Sequence, residues 1–160
     1  MSTANDTTIF TTPSDTEIVA VRVFDAPRTL VWDMWTKPEH VRQWMLGPDG
    51  WTMPVCEIDL RPGGRWHFEW RSEDGSEMAM DGEFREVTPP ERLVNTEEWG
   101  GDWPVAMVTL ELTEEDGRTT TTTTAVYPSK EARDAAVATG MKDGWSAGHD
   151  KLAEYLAALR

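Results

Sequence analysis

Residues 65–71 read Arg-Trp-His-Phe-Glu-Trp-Arg, an unbroken alternation of aromatic side chains with charged or polar ones. Successive side chains of a β-strand point to opposite faces of a sheet. The alternation therefore predicts a strand with one aromatic face, formed by Trp66, Phe68 and Trp70. Such a face needs a covering layer of protein, so the stretch predicts a sheet packed on one side.

A hairpin is predicted immediately after this strand. A polar loop at residues 72–76 contains an Asp-Gly dipeptide, and a second alternating run follows it. Closing the hairpin at this dipeptide places Phe68 opposite Met80 and Trp66 over Gly82. We predict this register because an aromatic ring then covers the bare backbone of the glycine.

Turn signals divide the rest of the chain into further strands and short helices. A β-branched run at residues 18–24 predicts the first strand, and Pro27 and Pro38 each favour the start of a short helix. The six threonines at 119–124 resemble low-complexity sequence. Their β-branching, and the Asp-Gly dipeptide just before them, favour a strand instead.

A C-terminal helix is predicted from Ser129, a good N-cap residue. Gly140 and Gly144 weaken its middle. Beyond them, one helical stripe carries the residues that should face the sheet, namely Trp145, His149, Leu152, Leu156 and Leu159.

Strands in succession, followed by an amphipathic helix, predict an α+β fold. We expect a curved antiparallel sheet of about six to seven strands, wrapped around a long C-terminal α-helix, with two short helices after strand 1. Residues 1–16 are polar and are predicted to be a flexible N-terminal arm. Residues 17–160 are predicted to form a single domain.

The charge balance excludes two classes of partner. The chain has 15 Lys and Arg against 29 Asp and Glu, a net charge of −14. This surface repels nucleic-acid phosphates and acidic lipids, so we predict neither nucleic-acid nor membrane binding. Cys56, the single cysteine, cannot form an intrachain disulfide, and neither a signal segment nor an apolar run of about 18 residues is found. We predict a cytoplasmic protein.

Residues that usually carry catalysis are sparse. His40, His67 and His149 lack the spacing of metal ligands, so we predict no metal and no cofactor. Cys56 lies in an apolar-leaning strand and is predicted to be a buried thiol. His149 is the one candidate for proton transfer, and a hydrogen-bonded structural histidine is the favoured interpretation of it.

Several short motifs together carry a family resemblance across residues 18–159. They are Phe24–Arg28, Pro38–Trp44, Asp59–Trp66, Gly82–Phe84, Pro89–Val94, Ser129–Asp134, Gly140-Met141 and Gly144-Trp145. In order and spacing the chain resembles the START-like (helix-grip, birch-pollen-allergen-like) superfamily, known as SRPBCC. Within it, the chain is most similar to bacterial domains named after the activator of the 90-kDa heat-shock protein ATPase.

The resemblance implies a cavity between the sheet and the long helix. Relatives bind lipids, sterols, polyketides or other small apolar molecules there, and some are cyclases or dehydratases. This sequence departs from the pattern at Thr121 and Thr123, where aliphatic residues are usual. These hydroxyls either make the cavity wall partly polar or, in a register shifted by one residue, face solvent.

We predict that the chain binds a small hydrophobic or aromatic molecule in this cavity. The nine tryptophans and eight methionines favour an adaptable apolar pocket. The predicted apolar contacts are Trp66, Phe68, Met80, Phe84, Trp99, Met141 and Trp145. The predicted hydrogen-bonding groups are His149, Tyr127, Thr121 and Thr123, joined by Asn95 and Glu97 if the face of Trp99 turns inward.

Two other functions are alternatives. An enzyme of this kind would be a cyclase, dehydratase or hydrolase without a metal, and it ranks below binding. A co-chaperone in a stress response, stimulating a heat-shock protein ATPase, is implied by the family name and ranks last, since a chain of 160 residues predicts one domain. The chain is expected to be a monomer or a homodimer, and the sequence does not identify the ligand.

Overall fold

The computed structural model of the chain describes residues 7–46 and 50–159, which form eight strands and four helices. The strands are β1 (Ile9–Thr11), β2 (Glu17–Phe24), β3 (Trp51–Ile58), β4 (Arg65–Ser72), β5 (Glu77–Thr88), β6 (Arg92–Glu97), β7 (Ala106–Glu115) and β8 (Arg118–Val126). The helices are α1 (Arg28–Thr36), α2 (Pro38–Trp44), α3 (Lys130–Ala138) and α4 (Met141–Ala158).

All eight strands belong to one curved antiparallel sheet in the order β1-β2-β8-β7-β6-β5-β4-β3. The predicted α+β class is confirmed, with one strand more than expected. The additional strand is β1, which pairs with β2 through Phe10 and Ala20. It lies in the segment predicted to be a flexible arm, of which residues 1–6 are outside the described part of the chain.

The predicted hairpin register is confirmed. Phe68 pairs with Met80, and Trp66 pairs with Gly82. A Cβ atom at residue 82 would collide with the Trp66 indole and with the carbonyl oxygen of Thr96. Only glycine fits there, because the ring and a neighbouring strand both lie directly on its backbone.

The threonine run forms β8, as predicted, and it alternates between buried and partly exposed residues. Thr121 is fully buried and Thr123 is 9% exposed. Both point to the side of the sheet that the helices cover, which we call the inner face. The alternative register, with these hydroxyls in solvent, does not occur.

Both short helices start where prolines predict them, with Pro27 before α1 and Pro38 as the first residue of α2. Near the C-terminus, the Ser129 hydroxyl accepts a hydrogen bond from the Ala132 N–H at 3.1 Å and caps α3. The predicted long helix is divided at Gly140, whose φ of +86° is left-handed. Within the described residues, no helix is both long enough and apolar enough to span a bilayer.

Candidate functional site

The last helix is anchored to the sheet along only part of its length. Its buried residues are His149, Leu152 and Leu156, so burial begins only at the ninth of its 18 residues. Residues 141–148, which we call the helix cover, contain no buried residue, and neither does α3 before them. A segment with few buried side chains opens at a low free-energy cost. The inner face is therefore covered tightly at one end and loosely at the other.

Under the anchored part of α4, aromatic residues fill the interior. We call this region the aromatic half and define it by Trp66, Phe68, Trp70, Met80 and Phe84, each between 4% and 7% exposed. They belong to one core cluster with Leu152 and Leu156 of α4. The rings of Trp66 and Phe68 are 4.7 Å apart, and those of Phe68 and Trp70 meet edge to face at 5.9 Å. Four of the predicted ligand contacts thus pack against the chain's own side chains.

At the start of β7 and the end of β8, in the middle of the strand order, the inner face carries smaller side chains. Ala106, Val108 and Ala125 form a separate buried cluster, which we call the small-residue half. Its cover consists of Tyr127 and Trp145, both only partly buried. The predicted contacts Tyr127 and Trp145 therefore lie together, apart from the aromatic half.

An acidic residue faces this small-residue half. Glu97 pairs with Ala106 across the β6–β7 ladder, and Asn95 pairs with Val108, so both point to the inner face. Glu97 is half-buried, and its partial desolvation raises its pKa from 4.5 to about 7. Within the described residues the carboxylate has neither an ion pair nor a side-chain hydrogen bond. Holding an ionised acid there has a cost, because no described side chain replaces the part of its hydration that folding removes.

Tyr127 connects the acid to the helix cover. Its hydroxyl donates to the sulfur of Met141 at 3.6 Å, which brings a third predicted contact to this end of the molecule. Burial raises the pKa of Tyr127 to about 12, and the nearby charge of Glu97 contributes to the increase. The phenol is therefore a neutral donor at physiological pH.

The two threonines differ in what their hydroxyls can do. Thr121 donates to the backbone oxygen of Arg22 at 3.0 Å, so its proton is used within the sheet. Thr123 lies between Ala20 and Leu110 on the inner face and makes no side-chain hydrogen bond to a described residue. Thr123 is the better placed of the two to bind a guest.

His149 is held in the core rather than at an open surface. Its Nδ1 is 2.7 Å from the hydroxyl of Thr8, and the rings of Phe24, Trp35 and Trp44 lie 5.8 to 6.4 Å from the imidazole. Burial, followed by the charge of Arg22, lowers the pKa of His149 to about 4. This environment fits a neutral structural histidine, the interpretation that the sequence favoured.

Trp99 lies at the rim of the sheet instead of in an enclosed wall. It is 45% exposed and stacks on Trp70 with 5.8 Å between ring centroids. Trp99 therefore contacts the edge of the aromatic half. It would not enclose a guest in the small-residue half.

Arg22 was not recognised from the sequence as a functional candidate. It is 3% exposed and forms an ion pair with Asp150 of α4 at 2.8 Å. Its position was a usable signal, because in β2 it lies on the same face as the buried residues Ile18, Ala20 and Phe24. A charge at a core-facing position marks either a specific ion pair or a binding site.

Other reactive groups do not converge on the inner face. Within residues 7–46 and 50–159, no group of three or more His, Cys, Asp or Glu is arranged to hold a metal ion. His67 lies between Glu69 and Asp81, whose hydrogen bonds, Glu69 first, raise its pKa. Cys56 is buried, and burial raises the pKa of its thiol to about 11, which keeps it protonated.

A curved antiparallel sheet closed by a C-terminal helix defines the helix-grip fold of the SRPBCC superfamily, whose members commonly bind hydrophobic ligands. Residues 25–157 match the family described as "Activator of Hsp90 ATPase homolog 1-like protein". The chain belongs to this family, and the predicted resemblance is confirmed.

Solved bacterial structures share the fold over nearly their whole length. A protein from Rhodobacter sphaeroides is 27% identical, with a TM-score of 0.88, 96% of this chain covered and 99% of the other. A protein from Mycobacterium smegmatis is 26% identical, with a TM-score of 0.84 and coverages of 94% and 96%. An AHSA1-like protein from Aeromonas hydrophila, 22% identical, has a TM-score of 0.75 and coverages of 89% and 93%. No match is found among curated proteins.

Proposed function

We propose that the protein binds a small hydrophobic or aromatic molecule between the small-residue half and the helix cover. The observation that carries this proposal is Glu97, a half-buried acid on the inner face without an ion-pair partner among the described residues. Groups that are costly to bury concentrate at functional sites, and the best ligand sites combine apolar walls with a few polar groups. Tyr127 and Thr123 supply such groups beside Ala106 and Ala125.

Entry to the site requires the cover to move. Two recesses formed by the described residues lie elsewhere, one beside Phe24 and one beside Trp51. A guest therefore displaces Tyr127 or Trp145 from the small-residue half. Gly144 makes this movement easier, because a glycine inside a helix lowers its stability by about 1 kcal/mol relative to alanine.

Tryptophan fluorescence tests the proposal directly. The purified protein is titrated with a panel of fatty acids, flavonoids and polyketides at pH 6 and pH 8. We expect a saturable change for at least one class of ligand, with weaker binding at pH 8, because an apolar guest strips water from ionised Glu97. Absence of any fluorescence change across the whole panel contradicts the proposal.

Matched variants locate the site. Glu97→Gln is expected to remove the pH dependence of binding, whereas Glu98→Gln, which alters an acid paired with Arg65 at 3.6 Å, retains it. Trp145→Phe is expected to remove most of the fluorescence change. Trp103→Phe, at a residue 50% exposed, leaves the change intact. A pH dependence that survives in Glu97→Gln places the ligand elsewhere.

The same carboxyl favours one alternative, an enzyme of the cyclase, dehydratase or hydrolase type. A pKa near 7 allows Glu97 to give and take a proton at neutral pH, and Tyr127 is a neighbouring donor. This role falls to Glu97 rather than to His149, which is enclosed by aromatic rings. Turnover of a bound panel member that is lost in Glu97→Gln would support catalysis. An unchanged rate in that variant would exclude Glu97 as the acid or base.

A further inference from the structure

The N-terminal strand packs on the same helix segment that covers the small-residue half. We call Thr8 and strand β1, residues 8–11, the N-terminal strap. The rings of Phe10 and Trp145 are 6.3 Å apart, and the ammonium group of Lys142 lies 5.8 Å from the centre of the Phe10 ring. Both separations are within the range in which aromatic pairs and cation–π pairs attract each other. Phe10 thus contacts two residues of the helix cover.

The sheet register places Phe10 on the inner face, beside the proposed site. Phe10 pairs with Ala20, and Ala20 pairs with Thr123 of β8. Directly paired residues of neighbouring strands point to the same face of a sheet, so these three side chains form one row. The strand β1 is the last in the strand order at this edge. Phe10 therefore ends the row that contains the free hydroxyl of Thr123.

The strap is fixed to the molecule through Thr8. The Thr8 hydroxyl is 2.7 Å from Nδ1 of His149, and it accepts a hydrogen bond from Nη1 of Arg22 at 3.4 Å. His149 and Arg22 are 5% and 3% exposed, so both partners belong to the tightly packed part of the fold. The helix cover, in contrast, has no buried residue of its own. The contacts of Phe10 therefore join a fixed strap to a loosely held segment.

We propose that Phe10 acts as a latch, whose contacts with Trp145 and Lys142 hold the helix cover closed and break each time the site opens to a guest. This inference rests on the proposed function, in which a guest enters by displacing the cover. Contacts that exist only in the closed state lower the population of the open state. The latch therefore slows the entry of a guest.

Native-state hydrogen exchange, without any ligand, tests the latch. Phe10→Thr removes the ring, and Ile9→Thr places the same residue on the opposite face of the strand, where Ile9 is 53% exposed. Losing a contact speeds exchange through every opening that breaks this contact. In Phe10→Thr, amides at residues 144–148 and at residues 66–70 of β4 should both exchange at least about fivefold faster, since local opening and global unfolding both break it. Ile9→Thr should change both sets by less than about twofold.

Two exchange results overturn the latch. The first is parent exchange rates at residues 144–148 in Phe10→Thr, with or without faster exchange in β4, because the cover would then open without releasing Phe10. The second is equal acceleration of the helix cover by Phe10→Thr and Ile9→Thr. If circular dichroism shows that Phe10→Thr does not fold, Phe10→Leu carries the test, since it keeps an apolar side chain but loses the ring.

Stopped-flow fluorescence with the panel of fatty acids, flavonoids and polyketides measures the effect on entry. The association rate constant of each panel member that binds should rise by about the same factor in Phe10→Thr, and it should be unchanged in Ile9→Thr. Equal association rates in the parent protein and in Phe10→Thr overturn the latch. If no panel member binds to the parent protein, the proposed function fails. The exchange comparison needs no ligand, so it still decides whether Phe10 holds the cover.

Discussion

The two halves of the inner face are built from the same sheet but are packed in different ways. In the aromatic half, the rings of Trp66, Phe68 and Trp70 form one cluster with leucines of α4. In the small-residue half, Ala106 and Ala125 lie beneath side chains that are only partly buried.

On the proposed function, this difference assigns stability to one half of the inner face and ligand binding to the other. Large side chains in close contact gain dispersion energy and exclude any guest. Small side chains under a loosely held cover gain less dispersion energy. They leave space for a guest once the cover moves. The aromatic residues that the sequence suggested as a pocket wall therefore belong mainly to the stable core, and the polar groups that suit a ligand lie at the other end.

Truncation of a ring in the aromatic half should have the largest effect. Phe68→Ala is expected to lower the free energy of unfolding by about 3–5 kcal/mol, because a cavity forms in a filled core. Trp145→Ala, in the cover of the small-residue half, should cost less than about 2 kcal/mol despite removing a larger ring. Urea unfolding measures both values, and equal losses would remove the distinction between the halves.

The half-buried Glu97 of the small-residue half should make the free energy of unfolding fall as pH rises. The pKa of Glu97 is 4.5 before folding and about 7 in the folded protein, so the folded state holds the proton more tightly. Its contribution is fully present below pH 4.5 and is lost by about pH 7, a change of up to about 3 kcal/mol. The unfolding free energy of Glu97→Gln, measured with urea, should not show this loss between pH 5 and pH 8. That of Glu98→Gln should still show it. Identical profiles for Glu97→Gln and the parent protein would show that the acid is solvated.

His149, beside the aromatic core, should produce the opposite pH dependence. Its pKa falls from 6.5 to about 4 on folding, so the unfolded chain takes up the proton first. Stability is complete above pH 6.5 and decreases by up to about 3 kcal/mol as the pH falls towards 4. The difference in unfolding free energy between the parent and His149→Gln should therefore narrow across this range. A constant difference would mean that the imidazole is accessible to water.

A glycine in the helix cover offers the smallest and most selective change. A Cβ atom at Gly144 meets nothing within 4 Å, so Gly144→Ala should stabilise α4 by about 0.5–1 kcal/mol. The stiffer cover should also bind the panel ligands more weakly or more slowly. Thermal unfolding and stopped-flow fluorescence measure the two effects. Stabilisation with unchanged binding kinetics would show that the cover does not gate entry.

The sequence was most informative where local chemistry and alternation agree. An Asp-Gly turn and a period of two were sufficient to place Trp66 over Gly82, and β-branching was sufficient to identify β8 as a strand. The inward direction of Thr121 needed the register of β8 with β2, which the sequence left open. The position of β1 depends on docking to the edge of a sheet, and three residues carry too little pattern to predict it.

The site was less predictable than the fold. Alternation assigns Glu97 to a face, but its raised pKa depends on how completely Tyr127 and the neighbouring strands enclose it. The Nε donors of Arg22 and Arg118 have no hydrogen-bond partner among the described residues, which depends on where the last turns of α4 lie. A raised pKa and an unpaired donor both arise from tertiary packing, so the identity of a single residue does not predict them.

Native-state hydrogen exchange tests the central claim most directly, because it measures the opening free energy of each amide. Amides at residues 144–148 of the helix cover should exchange through a local opening whose free energy is far below that of global unfolding. Amides of β4 at residues 66–70 should exchange only through global unfolding. Protection of the helix cover equal to that of β4 would contradict the account, since no loosely held part of α4 would then exist to admit a ligand.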